Sequence, residues 1–140
     1  MHDVEDIIKI FKKYPTVFPG GYFRFLKANL IKKIDKKELL YRNGVVLTWT
    51  KYKRAVSLAP HLKAAAGDIK INQLVNEVEG NGEAKKLFLD FLSNTPNTIF
   101  WLGVREDNER AVKFYEKNGF VKVADTKYGG DNGIIMKRIK

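Results

Sequence analysis

Residues 98–104 read TIFWLGV, apolar at consecutive rather than alternating positions. A strand buried on both faces has that composition, whereas a strand with one wet face alternates. Such a strand needs cover on both sides, and the chain supplies amphipathic segments directly before and after it. In EAKKLFLDFL, residues 83–92, Ala84, Leu87, Phe88, Phe91 and Leu92 recur at i, i+3, i+4, i+7 and i+8. That spacing predicts a helix with one apolar stripe and with Lys85, Lys86 and Asp90 outside it. Thr95-Pro96-Asn97 stops this helix before the strand begins. Beyond the strand, Asp107 or Asn108 caps a further helix over ERAVKFYEKN, and Gly119 stands at the C′ position that ends it.

The flanking chain extends the pattern. Upstream, GDIKINQLVNEV (67–78) places Ile69, Ile71, Gln73 and Val75 on one strand face. ELLYRNGVVLTWTKYKR (38–54) holds two apolar runs around Asn43-Gly44, the dipeptide best suited to a type I′ hairpin turn. Residues 59–66 are expected to form a loop at a sheet edge. Near the start, Val4, Ile7, Ile8 and Phe11 recur at helical spacing with Asp3 as cap, and Pro15, Pro19, Gly20 and Gly21 break the chain. YFRFLKANLIKKI (22–34) is read as a short second helix, and FVKVAD and GIIMKRI as closing strands. No repeat or linker divides the chain, so one domain over residues 1–140 is expected, an α/β (α+β) sandwich around a mixed sheet.

Composition narrows the function. With no cysteine, disulfides, thiol nucleophiles and cysteine zinc sites are excluded. His2 is terminal and His61 falls in an expected loop, where exposed structural roles dominate, so no metal is expected. No apolar run approaches the roughly 20 residues that span a bilayer, and the N-terminus lacks a secretory signal pattern; no membrane partner and a cytoplasmic location are expected. The formal net charge of +10 suits nucleic acid, acidic partners or a phosphorylated cofactor. Lysine greatly outnumbers arginine, however, and arginine is the better residue for bidentate contacts to phosphate and guanine. Nucleic acid is therefore not the favoured partner, and the lysine-rich bias fits an AT-rich bacterial or phage genome.

One stretch invites a ligand. EGNGEAKKLF (79–88) follows a strand and opens a helix. It reads either as a plain turn or as a cradle in which helix N-terminal amides meet an anion and Gly80 and Gly82 let the backbone approach closely. The P-loop pattern fails for want of Gly-Lys-Ser/Thr, and the dinucleotide fingerprint for want of a third glycine.

The second cluster, NERAVKFYEKNGF (108–120), changes the balance. In this order the chain resembles the GNAT superfamily of acyl-CoA-dependent N-acetyltransferases. Glu79, Gly82 and Ala84 fall on that family's Gln/Arg-x-x-Gly-x-Gly/Ala loop. Asn108, Ala111, Phe114, Tyr115, Glu116, Lys117, Gly119 and Phe120 fall on its later Asn-x-x-Ala and Phe-Tyr-Glu-Lys-x-Gly-Phe motifs. Residues 67–125 carry the likeness, with the hairpin at 38–53 consistent with it. Glu79 departs from the pattern, since an acid stands where the family has glutamine or arginine, and Glu83 adds a second acid. Like charge beside a pyrophosphate opposes binding.

The resemblance implies a three-layer sandwich whose mixed central sheet has two parallel strands splaying apart, with acetyl-CoA as cosubstrate. By that likeness Leu74 and Val75 hold the pantetheine arm. The segment Glu79, Gly80, Asn81, Gly82, Glu83, Ala84 and Lys85 holds the pyrophosphate, and Asn108, Phe114 and Lys117 complete the cofactor contacts. Backbone donors of the first splayed strand would stabilise the oxyanion of direct transfer. Tyr115 falls where the family places its general acid, and a phenol of pKa about 10 is protonated at neutral pH. For the base, which must help a primary amine of pKa about 10.4 lose its proton, the candidates are Asp68, Glu77 or a water held by Gln73 or Asn72. The implied partners are a small-molecule or protein amine and a second copy of the chain. A nucleic-acid or aminoacyl-tRNA acceptor, or a non-catalytic binding module, are the alternatives.

Overall fold

The computed structural model describes residues 4–14, 24–78, 80–128 and 130–139. Asp3, the prolines and glycines at 15–21, and Glu79 lie outside the described residues. Four helices accompany a mixed six-stranded sheet and a separate two-stranded one. In chain order the elements are α1 (Val4–Lys12), α2 (Leu26–Asp35), β1 (Leu39–Arg42), β2 (Val45–Lys51), β3 (Val56–Ala59), β4 (Leu62–Ala64), β5 (Ile69–Asn76), α3 (Glu83–Ser93), β6 (Ile99–Arg105), α4 (Glu109–Lys117), β7 (Val121–Tyr128) and β8 (Asp131–Ile139). The larger sheet has the strand order β1-β2-β5-β6-β8-β7. Its β5–β6 pair is parallel, while β1–β2, β6–β8 and β7–β8 are antiparallel.

The chain forms two compact units, residues 1–49 with 73–91, and residues 50–72 with 92–140. In the first, Ile7, Ile8, Ile10 and Phe11 of α1 pack with Leu26 and Leu30 of α2 on Leu39, Val46 and Val75. This is the predicted stripe of the first helix doing what its spacing requires. The hairpin turns as expected, with Asn43 at φ 53° and Gly44 at φ 79°, the two positive values that a type I′ turn demands. Helix α3 buries Leu87, Phe88, Phe91 and Leu92. Phe88 is fully buried, so Phe88→Ala should lower unfolding free energy by about 3–5 kcal/mol, as large-to-small core changes do. Chemical denaturation measures it; a loss below about 1 kcal/mol would mean that α3 is not held by that ring.

In the second unit Ala64, Trp101 and Ile135 form a core with Tyr52, Leu58, Leu62, Ile99 and Ala124 around it. Strand β6 is buried at Phe100, Trp101 and Leu102, in consecutive positions as its composition foretells. Asn108, rather than Asp107, caps α4: its Oδ1 accepts the Ala111 amide at 3.2 Å. Gly119 has φ 94°, the left-handed end expected of it. One expectation is corrected. Residues 59–66 are not a plain loop, because β3 and β4 pair as an antiparallel hairpin about Pro60-His61. Proline fixes the first turn position and His61 takes φ 63° at the second, as a type II turn requires. A histidine in that conformation is not legible from composition.

Candidate functional site

The glycine loop and its helix belong to the first unit. Gly80 and Gly82 have φ 77° and 81°, a region that only glycine occupies without strain. A Cβ added at Gly82 would meet no atom within 4 Å among the described residues beyond its chain neighbours, so the loop faces open space on that side. Asn81 organises the turn. Its Oδ1 accepts from Asn76 Nδ2 at 2.8 Å and from the Glu83 amide at 3.0 Å, which ties the end of β5 to the start of α3. Asn76 carries no motif that would single it out; its only sequence signal is a polar residue ending a strand before a glycine loop.

Of the first-turn amides, Glu83 N–H is thus engaged. Those of Ala84 and Lys85 have no acceptor among the described residues, as the first turn of a helix leaves them. Glu83 is drawn aside by Asn43 Nδ2 at 3.2 Å and by Lys86 Nζ at 3.5 Å. Its charge is thereby partly met, and it sits where acids suit the helix dipole. Lys85 is exposed at the same turn. The free amides, the absent Cβ and the lysine fit a pyrophosphate. In β5, Leu74 is half-buried and Val75 buried.

The second unit holds the remaining predicted residues. Tyr115, on α4, sets its ring edge-on to Phe114 at 5.4 Å and to Phe120 at 5.7 Å between centroids. Burial pushes its phenol up to about 12, so it stays protonated across the physiological range. Asn108 spends its Oδ1 on the α4 cap, and Lys117 is exposed in the last turn.

Asp68 is 7% exposed and its Oδ2 accepts from Trp101 Nε1 at 2.8 Å and from the Ala65 amide at 2.8 Å. The Tyr52 phenol is pushed up by burial and, less, by the nearby Asp68 charge. Glu77 is exposed, with Lys13 Nζ at 3.6 Å, and Asn72 Oδ1 accepts from the Thr50 hydroxyl at 2.9 Å. The β5–β6 ladder covers Ile69↔Phe100, Lys70↔Trp101 and Ile71↔Leu102 and then ends, although both strands continue.

The fold is that of solved GNAT-family acetyltransferases. No protein-family model matches the chain. Its sequence is 29% identical over 111 residues to uncharacterized N-acetyltransferases of Mycobacterium bovis and Mycobacterium tuberculosis, a match spanning 76% of this chain and 71% of theirs. Among solved structures, the PaiA N-acetyltransferase of Thermoplasma acidophilum, in complex with coenzyme A, superposes with TM-score 0.68 at 18% identity, covering 99% of this chain and 93% of that one. A GNAT-family acetyltransferase of Bacillus cereus gives TM-score 0.68 at 18% identity, covering 99% and 91%. A third, from Desulfovibrio desulfuricans, gives 0.72 at 12% identity over 98% and 92%. The sequence matches are to proteins named N-acetyltransferases, and the structural matches share their fold with this chain. Among the described residues, no helix is long and apolar enough to cross a membrane.

Proposed function

We propose that this protein transfers an acetyl group from acetyl-CoA to a primary amine by direct attack, both substrates being bound together. The observation that carries the reading is the α3 start: positive-φ Gly80 and Gly82, open space at Gly82 among the described residues, and amides of Ala84 and Lys85 that have no acceptor among those residues. Each charge-assisted bond from such an amide contributes about 1.5–3 kcal/mol. In this reading the loop from Gly80 to Lys85 holds the pyrophosphate, Leu74 and Val75 lie along the pantetheine arm, and Asn108, Phe114 and Lys117 complete the contacts. Acetyl-CoA supplies the activated acyl group. Backbone donors of β5 meet the charge that develops on the acyl oxygen, and the Tyr115 hydroxyl hydrogen-bonds the departing sulfur.

Asp68 is one of the candidate bases. Its two short acceptor bonds favour a different role, fixing the Trp101 indole and the turn before β5. A water held by Gln73 or Asn72 then removes the amine proton. The reaction belongs in the cytoplasm, where acetyl-CoA is available. A nucleic-acid acceptor is not favoured.

Two results test this reading. Coenzyme A should raise the melting temperature in a concentration-dependent way, as any ligand of the folded state does; no shift at millimolar CoA contradicts the assignment. The pH profile of kcat/KM should lack a descending limb between pH 8 and 10. An acid whose pKa is raised to about 12 keeps its proton until well above that range, and a limb near pH 9 would exclude Tyr115 as donor.

A further inference from the structure

The second unit contains a cleft of about 130 Å³ lined by Leu58, Lys70, Trp101, Leu102, Gly103, Thr126 and Ile135. That is close to the roughly 150 Å³ in which an engineered apolar cavity takes benzene. Its floor follows from strand register. Lys70, Trp101 and Lys137 stand opposite one another on β5, β6 and β8, so the indole lies in a row between two lysines. Lys137 Nζ sits 4.8 Å from the Trp101 ring centroid, and Asp68 fixes the indole from its Nε1 edge. One step along β6, Gly103 pairs with Ile135. With no side chain at Gly103, space opens beside Trp101; a strand glycine often marks such a close approach.

Lys70 is half-buried, and among the described residues no carboxylate pairs with it. A cation in that position with an apolar floor calls for an anion on an apolar body. It would repel the second ammonium of a polyamine. The cleft also begins at Leu102, where the β5–β6 ladder ends.

We propose that this cleft is the acceptor subsite and that the acceptor is an amino carboxylic acid with a small apolar side chain. Its carboxylate pairs with Lys70 and its side chain rests on Trp101 and Ile135. This rests on the acetyltransferase reading and extends it to a substrate class.

The test follows thiol release from acetyl-CoA with matched acceptors differing only in the carboxylate: leucine against 3-methylbutylamine, and phenylalanine against phenethylamine, with putrescine as dication. The carboxylate partner should have the higher kcat/KM. Because a carboxylate also lowers the pKa of its own amine, the deciding quantity is the change in that ratio on substitution. Lys70→Met should reduce the ratio about 10- to 100-fold, as loss of one charge-assisted bond implies. Lys70→Arg should largely preserve it, and Gly103→Val should depress both partners together. A ratio unchanged in Lys70→Met, or putrescine as the fastest acceptor, overturns the proposal. The parent reading is tested separately by CoA stabilisation. If CoA binds and no amine releases thiol, or if CoA does not bind, calorimetric titration of leucine against 3-methylbutylamine decides the cleft. Selective binding of leucine that Lys70→Met abolishes supports it; equal or absent binding overturns it.

Discussion

Gly82→Val should abolish measurable CoA binding while the protein remains folded. At φ 81° a β-branched residue is strained, at roughly 1–2 kcal/mol for an L-residue in the left-handed region. Among the described residues beyond its chain neighbours, no atom lies within 4 Å of the added Cβ, so packing adds little to that cost and the fold survives. The open space is what the pyrophosphate needs. A valine there holds the anion off the Ala84 and Lys85 amides, and losing two such bonds costs about 3–6 kcal/mol, or 100-fold to more than 10,000-fold in affinity. Calorimetry gives the affinity and thermal melting confirms the fold. A dissociation constant within about threefold of the parent protein would show that the loop is only a turn.

Tyr115→Phe should lower kcat by about 100- to 10,000-fold, the usual range for a lost general acid, and leave CoA affinity within about twofold. The phenylalanine ring keeps the edge contacts with Phe114 and Phe120, so α4 and its packing persist. The readout is the split between turnover and binding, which a structural defect would not produce. Unchanged turnover removes Tyr115 from the chemistry. The same substitution bears on alkaline stability. A phenol whose folded pKa exceeds its unfolded value contributes stability that is complete below about pH 10 and lost as pH rises toward 12. Tyr115→Phe should therefore flatten the fall in melting temperature over that window.

The helices and the central strand were legible because their signals are periodic and local. The stripe from Ala84 to Leu92, the consecutive apolar residues of β6 and the Asn43-Gly44 turn each specify one geometry. The β3–β4 hairpin escaped because it depends on His61 at positive φ and on two very short strands that gain their packing from Trp101 and Ile135. The site divides along the same line. Gly82 and Tyr115 lie in contiguous motifs, so their positions could be anticipated. The tether from Asn76 to Asn81 and the row of Lys70, Trp101 and Lys137 depend on loop closure and on register across strands, which no local window contains. Asp68 shows the converse: a carboxylate at a strand start suggests a base, and nothing local foretells that its Oδ2 accepts from both Trp101 and Ala65.

The central claim is that acetyl-CoA and a primary amine react directly on this chain. The most direct measurement incubates the purified protein with acetyl-CoA and an amine panel, following free thiol and N-acetylated product together. The account predicts that thiol appears only when an accepted amine is present and in equal amount to the acetylated product. Thiol release that is independent of every amine, or none at all under conditions where CoA binds, would contradict it.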